Sequence, residues 1–263
     1  MASAVLQSDP THWLGRVGVV VAFVLGAVGA GRPDPPSIES FTRTVLFNRF
    51  DANNDGHLGE PEKAALRDSF DGIDVPMLPD RAFDYTTVRI VGHDPAEFEG
   101  ADNTPPDNPT TDPGATLGRV LFYDKQLSRN NTVACASCHP QRAGFADPRQ
   151  FSVGFEGRQT SRNAMSLVNL RYTNLHGMRP GFFWDERAPT LEAQVLMPIQ
   201  DHIEMGMDLK SLDARLQKLP YFPPLFDAAF GSPQVTSDRI AKALAQFLRS
   251  MMSLDSRFDR AVA

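Results

Sequence analysis

The sequence contains only two cysteines, Cys135 and Cys138, and they lie three residues apart. Such a pair cannot build a disulfide framework, so the fold must depend on its hydrophobic core or on a cofactor. Basic residues are also in the minority, because 26 Lys and Arg face 32 Asp and Glu and give a net charge of −6. Nucleic acid is therefore not expected as a partner, since neutralising phosphates requires a basic face.

The N-terminal apolar segment, residues 17–30, is too short for a comfortable membrane span. Arg16 precedes it and small residues end it at Ala30, which is the layout of a secretory signal peptide. Residues 1–30 are therefore predicted to be a signal that is cleaved near Ala30. Export would place the protein in the periplasm of a Gram-negative bacterium. Membrane attachment is expected only if the signal stays uncleaved.

The remaining chain is predicted to be mainly α-helical, with a helix-loop-helix module at 37–72 and a helical domain at 114–263. Between them, residues 73–113 are predicted to be irregular, although Tyr85–Val91 could form a strand. Four prolines within 101–113 favour an extended linker or a surface loop. Apolar residues at helical spacing predict four helices in the second domain, the first of which begins with Leu117, Val120 and Leu121; the bounds of the other three can be read from the pattern. These three cover Pro189–Met197, closed by Pro198, then Ser211–Leu219 and Ser237–Met251.

The strongest chemical signal is the pentapeptide Cys135-Ala136-Ser137-Cys138-His139. C-x-x-C-H is the attachment motif of c-type haem, in which both thiols bond to the porphyrin and the adjacent histidine binds the iron. A zinc site would need a second pair of ligands, and no other cysteine exists. A thioredoxin-like redox pair would need a βαβ context, whereas the surroundings are helical. The motif therefore predicts one covalent haem c, with His139 as the iron ligand.

The loop at 51–62 matches the calcium-binding loop of an EF-hand at every defined position. Glycine at its sixth position permits the sharp bend, and helical patterns flank it on both sides. The predicted Ca²⁺ ligands are the side chains of Asp51, Asn53, Asp55 and Glu62 and the backbone carbonyl of His57. An Asp- and Asn-rich turn without an ion is the alternative. No second loop of this quality is evident in the sequence.

Residues 117–207 resemble the N-terminal half of the bacterial di-haem cytochrome c peroxidases, a family that includes the MauG-type proteins. Five stretches carry the resemblance, in family order. They are LGRVLFYDKQLS (117–128), CASCH (135–139), RNAMSLVN (162–169), FFWDERAPTLEAQ (182–194) and IEMG (203–206). The resemblance implies a cytochrome c-like helical haem domain whose haem reduces hydrogen peroxide. It also implies a small c-type cytochrome as the electron donor, and a homodimer is possible.

The resemblance further implies roles for individual residues. Glu204 and Gln194 match the carboxylate and the amide over the peroxide site, and Trp184 matches a tryptophan on the electron path between two haems. Asn169 matches an asparagine that helps to hold a calcium ion. Proton transfer to and from peroxide does need a positioned acid and base, which one carboxylate can supply. Without the resemblance, Trp184 would be expected in the core and Glu204 on the surface.

The sequence departs from the family pattern because it has no second C-x-x-C-H, so the second haem domain is expected to be absent from these residues. Two explanations stay open: the chain is a fragment of a longer protein, or it is a natural single-haem relative. We therefore expect this chain alone to bind haem but to turn over poorly. The sequence does not determine which side chain is the sixth ligand of the iron, and there are six candidates. These are His176, His202, Met165, Met178, Met197 and Met205. Three alternatives to a peroxidase also stay open: a MauG-like oxidase of a partner protein, a non-enzymatic electron-transfer cytochrome, and a calcium-responsive binding module.

Overall fold

The structure is a computed structural model of the 263-residue chain. It describes residues 100–173 and 181–262, together with short pieces at 52–53, 61, 64–65, 84–88, 90–91 and 95–98. The predicted signal peptide lies outside these residues, as does almost all of the predicted EF-hand, including Asp51, Asp55, His57 and Glu62. Of the predicted calcium ligands in that loop, only Asn53 is described, as an exposed residue of a turn.

The described chain is mainly helical, as predicted, and its residues form no extended strand. Within residues 100–173 and 181–262 the structure has seven α-helices, several of them joined by short 3₁₀ turns. They are α1 Asp112–Tyr123, α2 Cys135–Cys138, α3 Leu191–Gln200, α4 Leu209–Lys218, α5 Phe222–Phe230, α6 Ser237–Ser250 and α7 Arg257–Val262. The 3₁₀ turns are Pro95–Phe98, Lys125–Leu127, Gln141–Ala143 and Leu170–Tyr172.

Four helices begin at a polar residue whose side chain accepts a hydrogen bond from a backbone N–H two or three residues into the helix. The capping residues are Thr111 for α1, Thr190 for α3, Asp208 for α4 and Thr236 for α6. Such caps satisfy N–H groups that have no partner inside the helix, and each typically contributes about 1 kcal/mol. Local sequence therefore determines where these helices start.

The core forms where α1 crosses α6, with α3 and α5 packed beside the pair. Gly118 lies at the crossing, and a Cβ atom there would come within 2.0 Å of the carbonyl oxygen of Ala243. Only glycine therefore allows the two backbones to approach this closely. The apolar stripe of α6, including Ile240, Leu244 and Phe247, is buried in this core. Burying each such side chain contributes roughly 1.5–3 kcal/mol.

Three local expectations differ from the structure. The described residues of 85–91 form no strand, and Val91 instead donates its backbone N–H to Leu254. Pro198 lies inside α3 rather than closing it. Because the proline is in the last turn, the only backbone hydrogen bond it removes is the one to Gln194. The sequence did not predict helix α5, because its prolines and aromatic residues obscure the helical spacing of apolar positions. Both prolines lie in the first turn of the helix, where proline is tolerated.

Residues 101–111 of the proline-rich segment form neither helix nor strand, and the polar side chains of Asn103 and Asn108 connect them to the helical domain. Asn108 donates to Glu192 of α3 at 2.7 Å and accepts from Gln246 of α6 at 2.8 Å. Asn103 accepts a hydrogen bond from Arg249 at 2.9 Å. Residues 103–108 are thus part of the domain surface. Among the described residues, no helix is both long and apolar enough to cross a membrane.

Candidate active site

The two cysteines lie on the single helical turn α2, which brings them to one side of the chain. Ser137 accepts a hydrogen bond from the backbone N–H of Ala134 at 2.8 Å, which closes the start of this turn. Both thiols are free. Burial raises the pKa of Cys135 to about 12 and that of Cys138 to about 11. Such thiols are poor nucleophiles, which argues against a thioredoxin-like redox site.

His139 follows α2 directly, and its ring is fixed by a backbone carbonyl. Its Nδ1 atom lies 2.9 Å from the carbonyl oxygen of Phe145, at the end of a tight turn through the 3₁₀ helix Gln141–Ala143. Burial lowers the pKa of His139, so the neutral imidazole is favoured. With Nδ1 protonated and bonded to the carbonyl, Nε2 is the nitrogen left to bind a metal.

A cavity of about 380 Å³ opens beside His139, a size typical of cofactor sites. Segment 160–167 forms one wall, and α3 with residues 201–204 forms another. Five of the predicted site residues line it: Cys138, His139, Trp184, Gln194 and Glu204. Cys135 is close enough for the charge of Glu204 to raise its pKa further. The structure therefore brings together residues that are up to 69 positions apart in the sequence.

Glu204 is held in the cavity wall by its backbone. Its N–H donates to Asp201 Oδ1 at 3.1 Å, and its carbonyl accepts from the N–H of Phe155 at 3.0 Å. Gly154 allows this contact, because a Cβ atom there would lie 1.6 Å from the carbonyl oxygen of Ile203. Burial, with the nearby Asp201 carboxylate, raises the pKa of Glu204 to about 7, and Arg187 opposes the shift. This carboxyl can therefore exchange protons near neutral pH.

Gln194 reaches the cavity from the second turn of α3. The helix is fixed at its start by the Thr190 cap, which accepts from the N–H of Ala193 at 3.1 Å. Leu191, Val195 and Ile199 bury the adjoining face of the helix in the core. An amide on a helix that is anchored in this way can orient a small bound molecule.

Trp184 lies at the mouth of the cavity and is 62% exposed, so the expectation of a core tryptophan is wrong. It sits in a short loop closed by a β-bridge between Phe182 and Ala188. Its indole Nε1–H donates to the carbonyl oxygen of Asn163 at 3.0 Å, which fixes the ring although much of it meets solvent.

Three charged residues that sequence reasoning missed surround this mouth. Asp185 pairs with Arg162 at 2.6 Å and with Arg187 at 2.8 Å, and the Arg187 guanidinium lies 3.6 Å from the centre of the Phe183 ring. All three charged residues line the cavity. The sequence offered one signal for them, since they fall inside the stretches 162–169 and 182–194 that carry the family resemblance.

Asn169 lies away from the cavity lining and connects two segments of the chain. Its Oδ1 accepts from the backbone N–H of Ser253 at 2.7 Å, and its own N–H donates to Met251 at 2.8 Å. Calcium binding by Asn169 stays a prediction. Within the described parts of the chain, no three His, Cys, Asp or Glu side chains group closely enough to hold a metal ion.

The candidates for a sixth iron ligand separate clearly. Met165 lines the cavity, whereas His202 is exposed, Met205 is buried in the core and Met197 is 37% exposed outside the cavity lining. His176 and Met178 lie outside the described residues. Met165 also lies beside His139, because a hydrogen bond with its backbone raises the pKa of His139 against the larger effect of burial.

Comparison with known proteins identifies the family. The family model described as di-haem cytochrome c peroxidase matches residues 112–263, more than half of the chain. The chain belongs to the di-haem cytochrome c peroxidase family. The methylamine utilization protein MauG of Methylophilus methylotrophus is 38% identical over 169 residues, which cover 64% of this chain and 49% of that protein. The cytochrome c551 peroxidase of Nitrosomonas europaea is 34% identical over 146 residues, 56% of this chain and 42% of that protein.

A solved structure of a MauG-like protein associated with microbial copper homeostasis is also similar. It shares 36% identity with a TM-score of 0.54, over 61% of this chain and 46% of that one. The chain thus spans about half the length, or less, of the relatives it matches. Members of the family are cytochrome c peroxidases, oxidoreductases with c-type haem, so family membership implies that cofactor.

Proposed function

We propose that this chain is the peroxide-reducing haem domain of a di-haem peroxidase, with its haem attached to Cys135 and Cys138 and ligated by His139. The observation that carries the proposal is that Gln194 and Glu204, on separate segments, share one cavity with His139 and Cys138. A carboxylate and an amide facing a histidine-ligated haem form the arrangement that peroxide cleavage requires.

The residues present fit a covalent haem. The two cysteines share one helical turn, with Cys138 in the cavity lining, and the carbonyl of Phe145 engages Nδ1 of His139, which leaves Nε2 as the nitrogen to bind the iron. Apolar walls from Leu167, Leu170 and Phe182 suit a porphyrin face. When bound, the haem supplies the redox chemistry of the reaction, and the protein supplies positioning and proton transfer.

In this proposal, Glu204 transfers the proton. Its carboxylate takes a proton from one oxygen of hydrogen peroxide and returns it to the other oxygen, which leaves as water once the O–O bond breaks. A side chain with a pKa near 7 suits both steps, because it gives and takes protons at neutral pH. The Gln194 amide donates a hydrogen bond that keeps the peroxide in line with Glu204. Two electrons and two protons convert one hydrogen peroxide into two waters.

The electrons come from a small c-type cytochrome in this proposal, and Trp184 is their entry point. The indole is exposed at the cavity mouth and its orientation is fixed by Asn163, so a donor can approach it closely. A MauG-like oxidation of a partner protein would use the same entry in reverse, with electrons leaving the partner. The similarity to MauG favours keeping this second candidate.

The test is a peroxide assay on protein matured in a host that attaches c-type haem. Holoprotein is reduced, freed of excess reductant and mixed with hydrogen peroxide, and then the same reaction is run with a reduced small c-type cytochrome. The proposal predicts rapid peroxide-dependent oxidation of the haem, followed by oxidation of the cytochrome. A haem that neither reacts with peroxide nor binds cyanide after reduction would instead indicate an electron-transfer cytochrome.

We also propose that the loop at 51–62 binds Ca²⁺ and that the protein is exported. The motif match supports the first point, and the pattern at 1–30 supports the second. Calcium titration of full-length holoprotein by calorimetry should show one site that Asp51→Asn and Glu62→Gln remove. If removal of Ca²⁺ by a chelator changed the binding of a partner protein but left the reaction with peroxide unchanged, the loop would belong to a calcium-responsive binding module and would have no role in the peroxidase reaction.

A further inference from the structure

A buried carboxylate, Asp147, contacts the cavity-lining residue Ser152 and has no part in the proton transfer proposed for Glu204. The Asp147 side chain is fully buried, and both its oxygens are occupied. Arg149 donates to it from its backbone N–H, from Nε at 2.9 Å and from Nη2 at 2.7 Å. Ser152 donates from Oγ at 2.8 Å. Although burial opposes ionisation, these hydrogen bonds lower the pKa of Asp147, so the group is a permanent negative charge.

This cluster is connected directly to the haem-binding turn. Arg149 Nη2 also donates to the carbonyl oxygen of Ser137 in α2, at 3.3 Å. Ser152 lines the cavity beside Cys138 and lowers the pKa of that thiol by a hydrogen bond, against the larger effect of burial. Asn163 donates to the backbone carbonyls of Asp147 and Arg149, at 3.2 and 2.7 Å, and so joins the cluster to the cavity wall.

The two charges of the pair are not equally screened by water. The Asp147 side chain has no exposed surface, whereas that of Arg149 is 48% exposed. Solvent weakens the field of an exposed charge far more than that of a buried one, so the pair presents a net negative charge to the interior. The carboxylate is also close to His139 along the chain of contacts, because Arg149, which donates to both of its oxygens, donates in addition to the carbonyl of Ser137, two residues before His139.

We propose that the Asp147–Arg149 pair is a positioning element that lowers the reduction potential of the haem iron held by His139. The proposal rests on the haem attachment proposed above. A buried negative charge stabilises the ferric state, which carries one more positive charge than the ferrous state. The pair also fixes α2 through Ser137, so the charge stays at a constant distance from the imidazole. A haem iron with a low reduction potential transfers electrons to peroxide more readily than one with a high potential.

The test is a spectroscopic redox titration of purified holoproteins at pH 8, which does not depend on peroxidase activity. Asp147→Asn keeps the shape of the side chain and removes its charge. We expect it to raise the ferrous-to-ferric ratio at the wild-type midpoint about tenfold, which is about 59 mV for a one-electron couple. Arg149→Gln leaves the buried carboxylate without its counter-ion and should shift the midpoint in the opposite direction.

Opposite shifts in these two variants are the signature of a charge effect, because general damage to the site would move both the same way. Ser152→Ala, which removes one hydrogen bond and no charge, should move the midpoint less than either. Midpoints that stay at the wild-type value, or that shift in one direction for both charge variants, would overturn the proposal. If Asp147→Asn failed to fold, a lower midpoint in Arg149→Gln would support it and an unchanged or higher one would refute it.

A pyridine haemochrome measurement on every sample separates this proposal from the function proposed above. Loss of covalent haem from the wild-type chain contradicts the haem attachment itself. Normal haem with an unperturbed potential contradicts only the role of the Asp147–Arg149 pair.

Discussion

The carbonyl oxygen of Phe145 lies 2.9 Å from Nδ1 of His139. This contact engages Nδ1 and so leaves Nε2 as the ring nitrogen that can bind a metal. It depends on a tight turn in which the N–H of Phe145 returns to Pro140, and Phe145 itself adopts a left-handed backbone conformation with φ of 58°. The orientation of one imidazole is therefore held by a locally strained backbone, which is common at functional sites.

Replacing Glu204 with Gln should slow the reaction of the reduced holoprotein with hydrogen peroxide by about 10²–10⁴-fold, the usual loss when a general acid and base is removed. Stopped-flow absorbance of the haem band measures this step in a single turnover. The matched control is Glu156→Gln, because that side chain is 54% exposed and lies outside the cavity lining. An unchanged rate constant in Glu204→Gln would remove this residue from the mechanism.

The rate constant of peroxide reduction should rise as the pH increases through about 7. Burial and the Asp201 carboxylate raise the pKa of Glu204 to about this value. Below that pH the carboxyl is protonated and cannot accept a proton from peroxide; above it the carboxylate is available. The pH profile of single-turnover rates checks this, and Glu204→Gln should flatten it. A wild-type profile that is flat across the neutral range would contradict the assignment.

The neighbours of Glu204 should move this profile in opposite directions. Asp201→Asn removes a like charge and keeps an oxygen that can accept from Ile203 and Glu204, so the midpoint should shift to lower pH. Arg187→Gln removes a favourable charge and should shift it to higher pH. The pH profiles of both variants are measured as for the wild type, and shifts of the same sign would show that the titrating group is a different one.

Gly154→Ala should displace Glu204 from its position in the cavity wall, although the new methyl group contacts the neighbouring residue Ile203. The new Cβ would lie 1.6 Å from the Ile203 carbonyl, so the backbone of residues 203–204 must move. We expect about 1–3 kcal/mol of destabilisation, as for other overpacked sites, together with slower peroxide reduction at normal haem content. Gly157→Ala is the control, because a methyl group there would have no atom within 4 Å and only the positive φ of this residue adds strain. Urea unfolding and stopped-flow rates distinguish the two variants.

The buried ion pair between Arg249 and Glu192 should be the most sensitive charge pair for stability. Arg249 is 1% exposed, and its Nη1 atom lies 2.6 Å from Glu192. Arg249→Met should lower the free energy of unfolding by about 3–5 kcal/mol, because the mostly buried Glu192 carboxylate, 18% exposed, loses its counter-ion. Arg260→Met, which breaks an exposed pair with Asp255, should cost at most about 1 kcal/mol. If urea unfolding showed that Arg249→Met and Arg260→Met lose the same free energy of unfolding, this ranking of the two ion pairs would be wrong.

Sequence patterns predicted the helical class and the helices with clear apolar stripes, because 3.6-residue periodicity is a local property. The C-x-x-C-H motif and the family resemblance also predicted which residues share the cavity. The Asp147 cluster, the exposed position of Trp184 and the Arg162–Asp185–Arg187 rim could not be predicted in this way. Each depends on contacts between segments far apart in the chain, where neither period nor propensity carries information.

The central claim is that one haem is bonded to Cys135 and Cys138 and ligated by His139. The most direct measurement is a pyridine haemochrome spectrum of denatured full-length protein, matured in a host that attaches c-type haem. The account predicts one covalent haem per chain in the wild type and none in a variant carrying Cys135→Ser and Cys138→Ser. A colourless wild-type protein, or equal haem in the variant, would contradict it.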